Sequence, residues 1–262
     1  MNDKTKESDS MARHRIVLAH GIFGGLAWAP NWALGQRGAY FHGVRPHLES
    51  LGHEVIEPQV PPAGRVVERA AALGQAIHAA WPQGDLHVIA HSLGGLDTRH
   101  LLRVDPQLRK RIKTLVAIGT PHLGSPVASS WINPVGHLPG ALSLLARAHA
   151  GGVEDLAVRP KPAEPDQAGV RYIDVFCDAG QAGYQGLVFR ELGNLFSVEL
   201  PNDGVVSLRS AHLEGHELIT WPVDHGGAVG WPSGHPTLFE AMFGHVDPAL
   251  LNRYADLAGL LG

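Results

Sequence analysis

One continuous run limits the possible folds more than any other: Asp85-Leu86-His87-Val88-Ile89-Ala90-His91-Ser92-Leu93-Gly94-Gly95. An apolar, strand-like segment passes in it, without a spacer, into a helical pattern that continues from Leu93 to Leu102. A turn that short must bend sharply, and the residue at the bend is lifted clear of the strand beneath it. Ser92 stands at the bend, with small residues two before (Ala90) and two after (Gly94) that let neighbouring backbones approach. Motifs of this kind more often carry glycine at the first of those places, and Ala90 is small enough to be a variant of it. A serine presented in this way is a candidate nucleophile. The backbone N–H of Leu93, opening the next helix, is a candidate donor to a developing oxyanion, helped by the helix dipole.

The rest of the chain repeats the alternation. Strand-like runs lie at 14–19, 53–56, 85–90, 112–118, 172–176 and 217–223, and helical patterns at 40–51, 65–81, 93–102 and 248–261. Strands and helices taking turns predict an α/β fold, a mostly parallel sheet with helices on both faces. The expected organisation is a disordered leader over 1–12 and a single domain over 13–262. The interval from about 126 to 168 breaks the rhythm, with Pro134, Pro139, a helical run at 141–148 and the proline-rich 159–165. So long an interruption is expected to form a cap or lid above the sheet.

Bulk properties exclude several classes. A formal net charge of -4 with no basic cluster argues against a nucleic-acid partner. No stretch has the length of an apolar membrane span, and no signal-peptide-like segment precedes Met11, so a cytoplasmic setting is expected. Cys177 is the one cysteine and lies within a strand-like run, which suits a buried structural thiol. The 17 histidines are scattered, with neither His-Glu-x-x-His nor paired cysteines, so neither metal nor cofactor is expected.

A glycine-rich loop, His20-Gly21-Ile22-Phe23-Gly24-Gly25, follows the first strand-like run. Its position and freedom suit a second oxyanion donor, most simply the N–H of Ile22. Phe23, Trp28 and Trp32 are candidate acyl-pocket residues, although large apolar side chains are more often plain core.

With these pieces on one chain, the sequence resembles the bacterial triacylglycerol lipase family of α/β-hydrolases. The matching segments are Val17-Leu18-Ala19-His20-Gly21, His91-Ser92-Leu93-Gly94-Gly95-Leu96 with Arg99, Gly119-Thr120-Pro121-His122-Leu123-Gly124-Ser125, and Asn202-Asp203-Gly204-Val205-Val206. The resemblance covers 14–126 and 200–225 but not the insert. It implies an α/β-hydrolase fold with an acid at Asp203 and a base at His225. Asp178 and Asp224 are rivals for the acid, and His235 for the base. His91 and His122 are expected to be packing or loop histidines, and His20 to orient its loop. Two departures stand out. Relatives often place a calcium-binding aspartate where this chain has Gly227, and a single cysteine forbids the disulfide some of them carry.

The reaction class implied is carboxylic-ester hydrolysis of a small-molecule or lipid acyl ester, with interfacial contact through the cap. Acyl transfer, thioester cleavage and intracellular polyester hydrolysis would use the same three residues. A non-catalytic ligand-binding protein on this scaffold is the alternative from a different class, because fold alone does not prove activity.

Overall fold

The computed structural model describes residues 12–22, 40–62, 64–132, 150–162, 164–182, 187–231 and 247–262. The leader expected over 1–12 therefore lies, apart from Ala12, outside the described residues, as do Phe23, Trp28, Trp32, the helical run at 141–148 and His235.

The described elements follow in order as β1 (Arg15–Ala19), α1 (Val44–Ser50), β2 (Glu54–Ile56), α2 (Val66–Ala80), β3 (Leu86–His91), α3 (Leu93–Val104), α4 (Pro106–Arg111) and β4 (Ile112–Ile118). Then come α5 (Pro126–Ile132), α6 (Ala150–Asp155), β5 (Arg171–Cys177), α7 (Leu187–Leu195), α8 (Leu208–Ala211), β6 (Glu217–Trp221), a 3-10 turn (Gly227–Val229) and α9 (Pro248–Gly259). Each strand-like run forms a strand, shifted at the ends by no more than a residue or two. Helix α1 starts later than expected because Gly43 adopts a left-handed conformation and Tyr40 and Phe41 are buried ahead of it.

The six strands form one sheet in the order β2-β1-β3-β4-β5-β6, every neighbouring pair parallel. Its inner strands are covered on both sides, which is why they read as mostly apolar runs, with few polar residues such as Asp174 of β5. Successive residues alternate between two cores. Ile16, Leu18, Ile89, Val116 and Val175 face Val44 and Leu48 of α1 and Tyr254 and Leu257 of α9. Val17, Ala19, Val88, Ala90 and Leu115 face Leu73 and Ile77 of α2, Leu102 of α3 and Leu108 of α4.

Strand order places the site. The chain leaves β1 for the edge strand β2 and then returns to β3 on the other flank of β1. The connections from the carboxyl ends of β1 and β3 thus run in opposite senses and leave a crevice between them. Ala19 and Ala90 are register partners at those ends, so the loop beginning at His20 and the turn carrying Ser92 emerge side by side.

Three histidines crowd the opposite end of the sheet. The ring of His14 stacks on that of His53 at 5.5 Å and meets His87 edge-on at 4.9 Å. Burial, then the neighbouring His14 charge, lowers the His87 pKa to about 4, opposed in part by Asp85; His14 and His53 are lowered by burial as well. In the unfolded chain all three titrate near about 6.5. The unfolded state therefore binds more protons between those values, and stability present above about pH 6.5 is lost as pH falls toward 4. Thermal melts from pH 7 to pH 4 are expected to show this loss, and His87→Gln to reduce it; an unchanged slope in the variant would remove His87 from the account.

Candidate active site

Ser92 sits between β3 and α3 at φ 55°, ψ -125°, a conformation a non-glycine residue adopts only when its surroundings impose it. The Ser92 N–H donates to Ile118 O at 2.9 Å. This bond anchors the bend to β4 while the side chain turns outward. Close packing beneath the bend depends on Gly94: a Cβ there would lie 2.3 Å from Ala19 O and 2.9 Å from His20 O. Ala90, by contrast, is fully buried in the second core and keeps its place in β3, opposite Ala19 and Ala117. Gly94→Ala is expected to cost about 2 kcal/mol or more through overpacking against backbone, lowering Tm by roughly 4–8 °C. Differential scanning calorimetry checks this, and a melt within a degree of wild type would refute it.

His225 follows β6 and Asp203 lies in the long connection between β5 and β6. The His225 Nε2 is 3.1 Å from Ser92 Oγ, and its Nδ1 is 2.6 Å from Asp203 Oδ2. Asp203 is buried, and its Oδ1 accepts the N–H groups of Val205 (2.9 Å) and Val206 (2.7 Å). One carboxylate oxygen is thus fixed by backbone while the other faces the imidazole. Asn202 and Gly204 set this turn: Asn202 Oδ1 accepts the Gly204 N–H at 2.9 Å, and Gly204 takes φ 95°. The His225 N–H also donates to Asp203 O at 3.0 Å, so backbone and side chain both join the two segments. Gly119 makes room for the pair; at φ 52°, a Cβ on it would stand 3.0 Å from Asp203 Oδ2 and 3.2 Å from His225 Nδ1.

The other wall is held by a buried cation. Arg69 of α2 and Asp97 of α3, each no more than 1% exposed, pair at 2.8 Å. The same guanidinium donates to His20 O at 2.7 Å and Gly21 O at 3.3 Å, with a further bond to Pro61 O at 3.0 Å. It therefore clamps the peptide groups just before Ile22. Burial drives the Asp97 carboxyl up to about 7 against the pull of Arg69. His20 completes the loop: its Nδ1–H donates to Gly21 O at 2.9 Å, its Nε2 accepts from the Val60 N–H at 3.3 Å, and burial lowers its pKa to about 4, leaving it neutral.

Ile22 and Leu93 lie in one apolar cluster with Leu96, Ala128, Val153 and Leu156. Val127, Val153, Leu156, Leu192 and Val205 line a cavity of about 100 Å³ that opens on Ser92 and His225. Residues of α5 and of the segment after it in the insert thus face the serine. The base of the insert is pinned to α3, where Glu164 pairs with His100 (2.7 Å) and Arg103 (2.6 Å) and Asp166 with Arg99 (2.8 Å).

The two rival carboxylates are occupied elsewhere, and His235 lies outside the described residues. Asp178 caps the turn after β5, accepting from the Gly180 N–H and Gln181 Nε2 at 2.9 and 2.7 Å. Asp224 accepts from the Gly227 N–H at 2.6 Å, and Gly227 opens the 3-10 turn with no side chain to offer an ion. His91 is buried and held well below its ordinary pKa by that burial. Neutral His91 accepts from the Tyr40 hydroxyl at 2.7 Å and donates from Nε2 to the His225 backbone O at 3.0 Å. It steadies the segment bearing the base, a role sequence position gave no hint of. Arg69 did leave a signal, being a lone cation among Val66, Ala70 and Leu73 on the apolar face of α2.

A six-stranded parallel sheet, a serine on a strand-to-helix bend, and a histidine and aspartate behind it define the α/β-hydrolase fold with a serine-histidine-aspartate arrangement. No family model matches the chain. Triacylglycerol lipase 2 of Saccharomyces cerevisiae is 27% identical over 213 residues, covering 73% of this chain and 62% of its own length. A triacylglycerol lipase of Pseudarthrobacter phenanthrenivorans is 31% identical over 123 residues, covering 44% and 35%. This chain therefore spans less than two thirds of the length of either. The crystal structure of a metagenomic carboxyl esterase superposes with a TM-score of 0.63 at 21% identity, covering 94% of this chain and 76% of that one. The chain is similar to triacylglycerol lipases and has the α/β-hydrolase fold. Among the described residues, no helix is long and apolar enough to cross a membrane.

Proposed function

We propose that the chain is a serine carboxylic-ester hydrolase that works through an acyl-enzyme. The observation that supports this best is the line from Ser92 Oγ through His225 to Asp203, with separations of 3.1 and 2.6 Å. In this reading Ser92 Oγ attacks the ester carbonyl carbon as His225 Nε2 takes its proton, and the tetrahedral oxyanion accepts from the N–H groups of Leu93 and Ile22. His225 returns the proton to the leaving alcohol. Water, deprotonated by the same nitrogen, then attacks the acyl carbon and releases the acid. Asp203 holds the imidazole with Nδ1 protonated and stabilises the imidazolium.

The apolar cavity beside Ser92 suits the acyl side of the ester, and the insert is the roof over it. Relatives named triacylglycerol lipases make a lipid acyl ester the leading substrate class. The test is active-site labelling. A fluorophosphonate probe is expected to modify one residue, recovered on the peptide containing Ser92, and to abolish hydrolysis of an aryl butyrate in proportion. Full labelling with unchanged hydrolysis, or hydrolysis without labelling, would refute the reading.

A further inference from the structure

We propose that His122, Asp174 and His216 hold a divalent transition-metal ion of the zinc type, in a structural role. The three come from separate segments: the loop after β4, the middle of β5, and the residue before β6. Their side chains are 1%, 1% and 3% exposed. One ligand atom from each lies within 4.8 Å of the others. His122 Nε2 is 3.3 Å from Asp174 Oδ1, and His216 Nδ1 is 2.9 Å from Asp174 Oδ2. Two donors bound to one tetrahedral zinc at about 2.05 Å stand roughly 3.4 Å apart, so the spacing already approximates a shared ion.

The surroundings carry the argument further. A metal-bound histidine characteristically offers its second ring nitrogen to a carboxylate, which orients the ring and raises its basicity. His216 has this arrangement: its Nε2 faces Asp166 Oδ2 at 3.1 Å, and Arg99 fixes Asp166 from the far side at 2.8 Å. The His216 ring also stacks on Tyr172 at 4.8 Å. A fourth donor stands nearby, since His212 Nδ1 is 3.4 Å from Asp174 Oδ2 and makes no hydrogen bond. The Nδ1 of His122 is likewise buried without a hydrogen bond, so that ring is held by packing and by its Nε2 contact with Asp174. A buried carboxylate and two imidazoles gathered in one place form a donor set for a cation, and mixed imidazole and carboxylate donors select zinc-type ions over calcium or magnesium.

Bound there, the ion would tie β5 and the approach to β6 to the loop after β4. That loop packs on α8 through the His122 N–H, which donates to Ser210 O at 2.9 Å, and it begins at Gly119 beside Asp203 and His225. The ion would stiffen the wall behind the site without touching reacting atoms, and its binding does not depend on the ester-hydrolase reading.

The experiment uses the full chain, stripped with chelator and titrated with zinc chloride by calorimetry, with metal content and Tm measured in parallel. One zinc per chain at micromolar or tighter affinity is expected, with Tm raised by about 5–10 °C at a hundredfold excess over Kd, and no shift with calcium chloride. His216→Gln is expected to lose both the stoichiometric binding and the shift. Should that variant not fold, Asp166→Asn, altering a half-exposed side chain, is expected to fold and to weaken zinc about 10–100-fold. The proposal is overturned by no binding in the wild-type chain, by a calcium shift without a zinc shift, or by zinc affinity unchanged in these variants.

Discussion

Ser92→Ala is expected to lower kcat for an activated aryl ester by about a million-fold, leaving only the acceleration that binding and the oxyanion donors supply. Removing one oxygen keeps the backbone bend, because alanine at φ 55° is no more strained than serine, and the Ser92 N–H bond to Ile118 O is independent of the side chain. Tm should therefore move by no more than a degree or two, separating loss of chemistry from loss of fold. His225→Ala should fall to a similar residual rate, and the double variant should lose little more, since the two residues act as a unit. A single variant retaining a tenth of wild-type turnover would end the case for an acyl-enzyme at Ser92.

Asp203→Asn is expected to reduce kcat by about ten thousand-fold, and the local geometry gives the reason. Two backbone N–H groups, from Val205 and Val206, point at one oxygen of this side chain. An asparagine must turn its carbonyl oxygen toward them, which aims its NH2 at His225 Nδ1, 2.6 Å away in the wild type. That nitrogen would then have to accept, moving the ring proton to Nε2, where the base must be vacant to receive the serine proton. The substitution keeps shape and burial, so the melt should change little while turnover collapses. Activity within tenfold of wild type would mean that the tautomer is set by something other than Asp203.

The framework could be read from the sequence because both of its signals are local. Strands buried on two faces are mostly apolar, and the bend at Ser92 needs small neighbours within two residues of it. Asp203 and His225 could be placed only through resemblance, since nothing in their own neighbourhoods says that strand order will bring them to Ser92. Position in the chain is a poor guide wherever a side chain acts across the sheet. Thus His91 reads as a neighbour of the nucleophile yet supports the His225 backbone, and Arg69 belongs to a helix yet grips the loop after β1. The histidines are the extreme case. Spread along the chain they predict no metal, whereas the parallel register of β4, β5 and β6 gathers His122, Asp174 and His216 within 4.8 Å.

One face of the sheet is covered by helices from opposite ends of the described chain: Val44 and Leu48 of α1 share a core with Leu250, Tyr254 and Leu257 of α9. During synthesis, that face is covered only in part, by α1, until α9 has left the ribosome, while α2, α3 and α4 already shield the other. The nascent chain thus carries an incompletely covered apolar face until synthesis reaches α9. Holdase chaperones would find their substrate there, and a ribosome stalled before residue 248 would leave an aggregation-prone fragment.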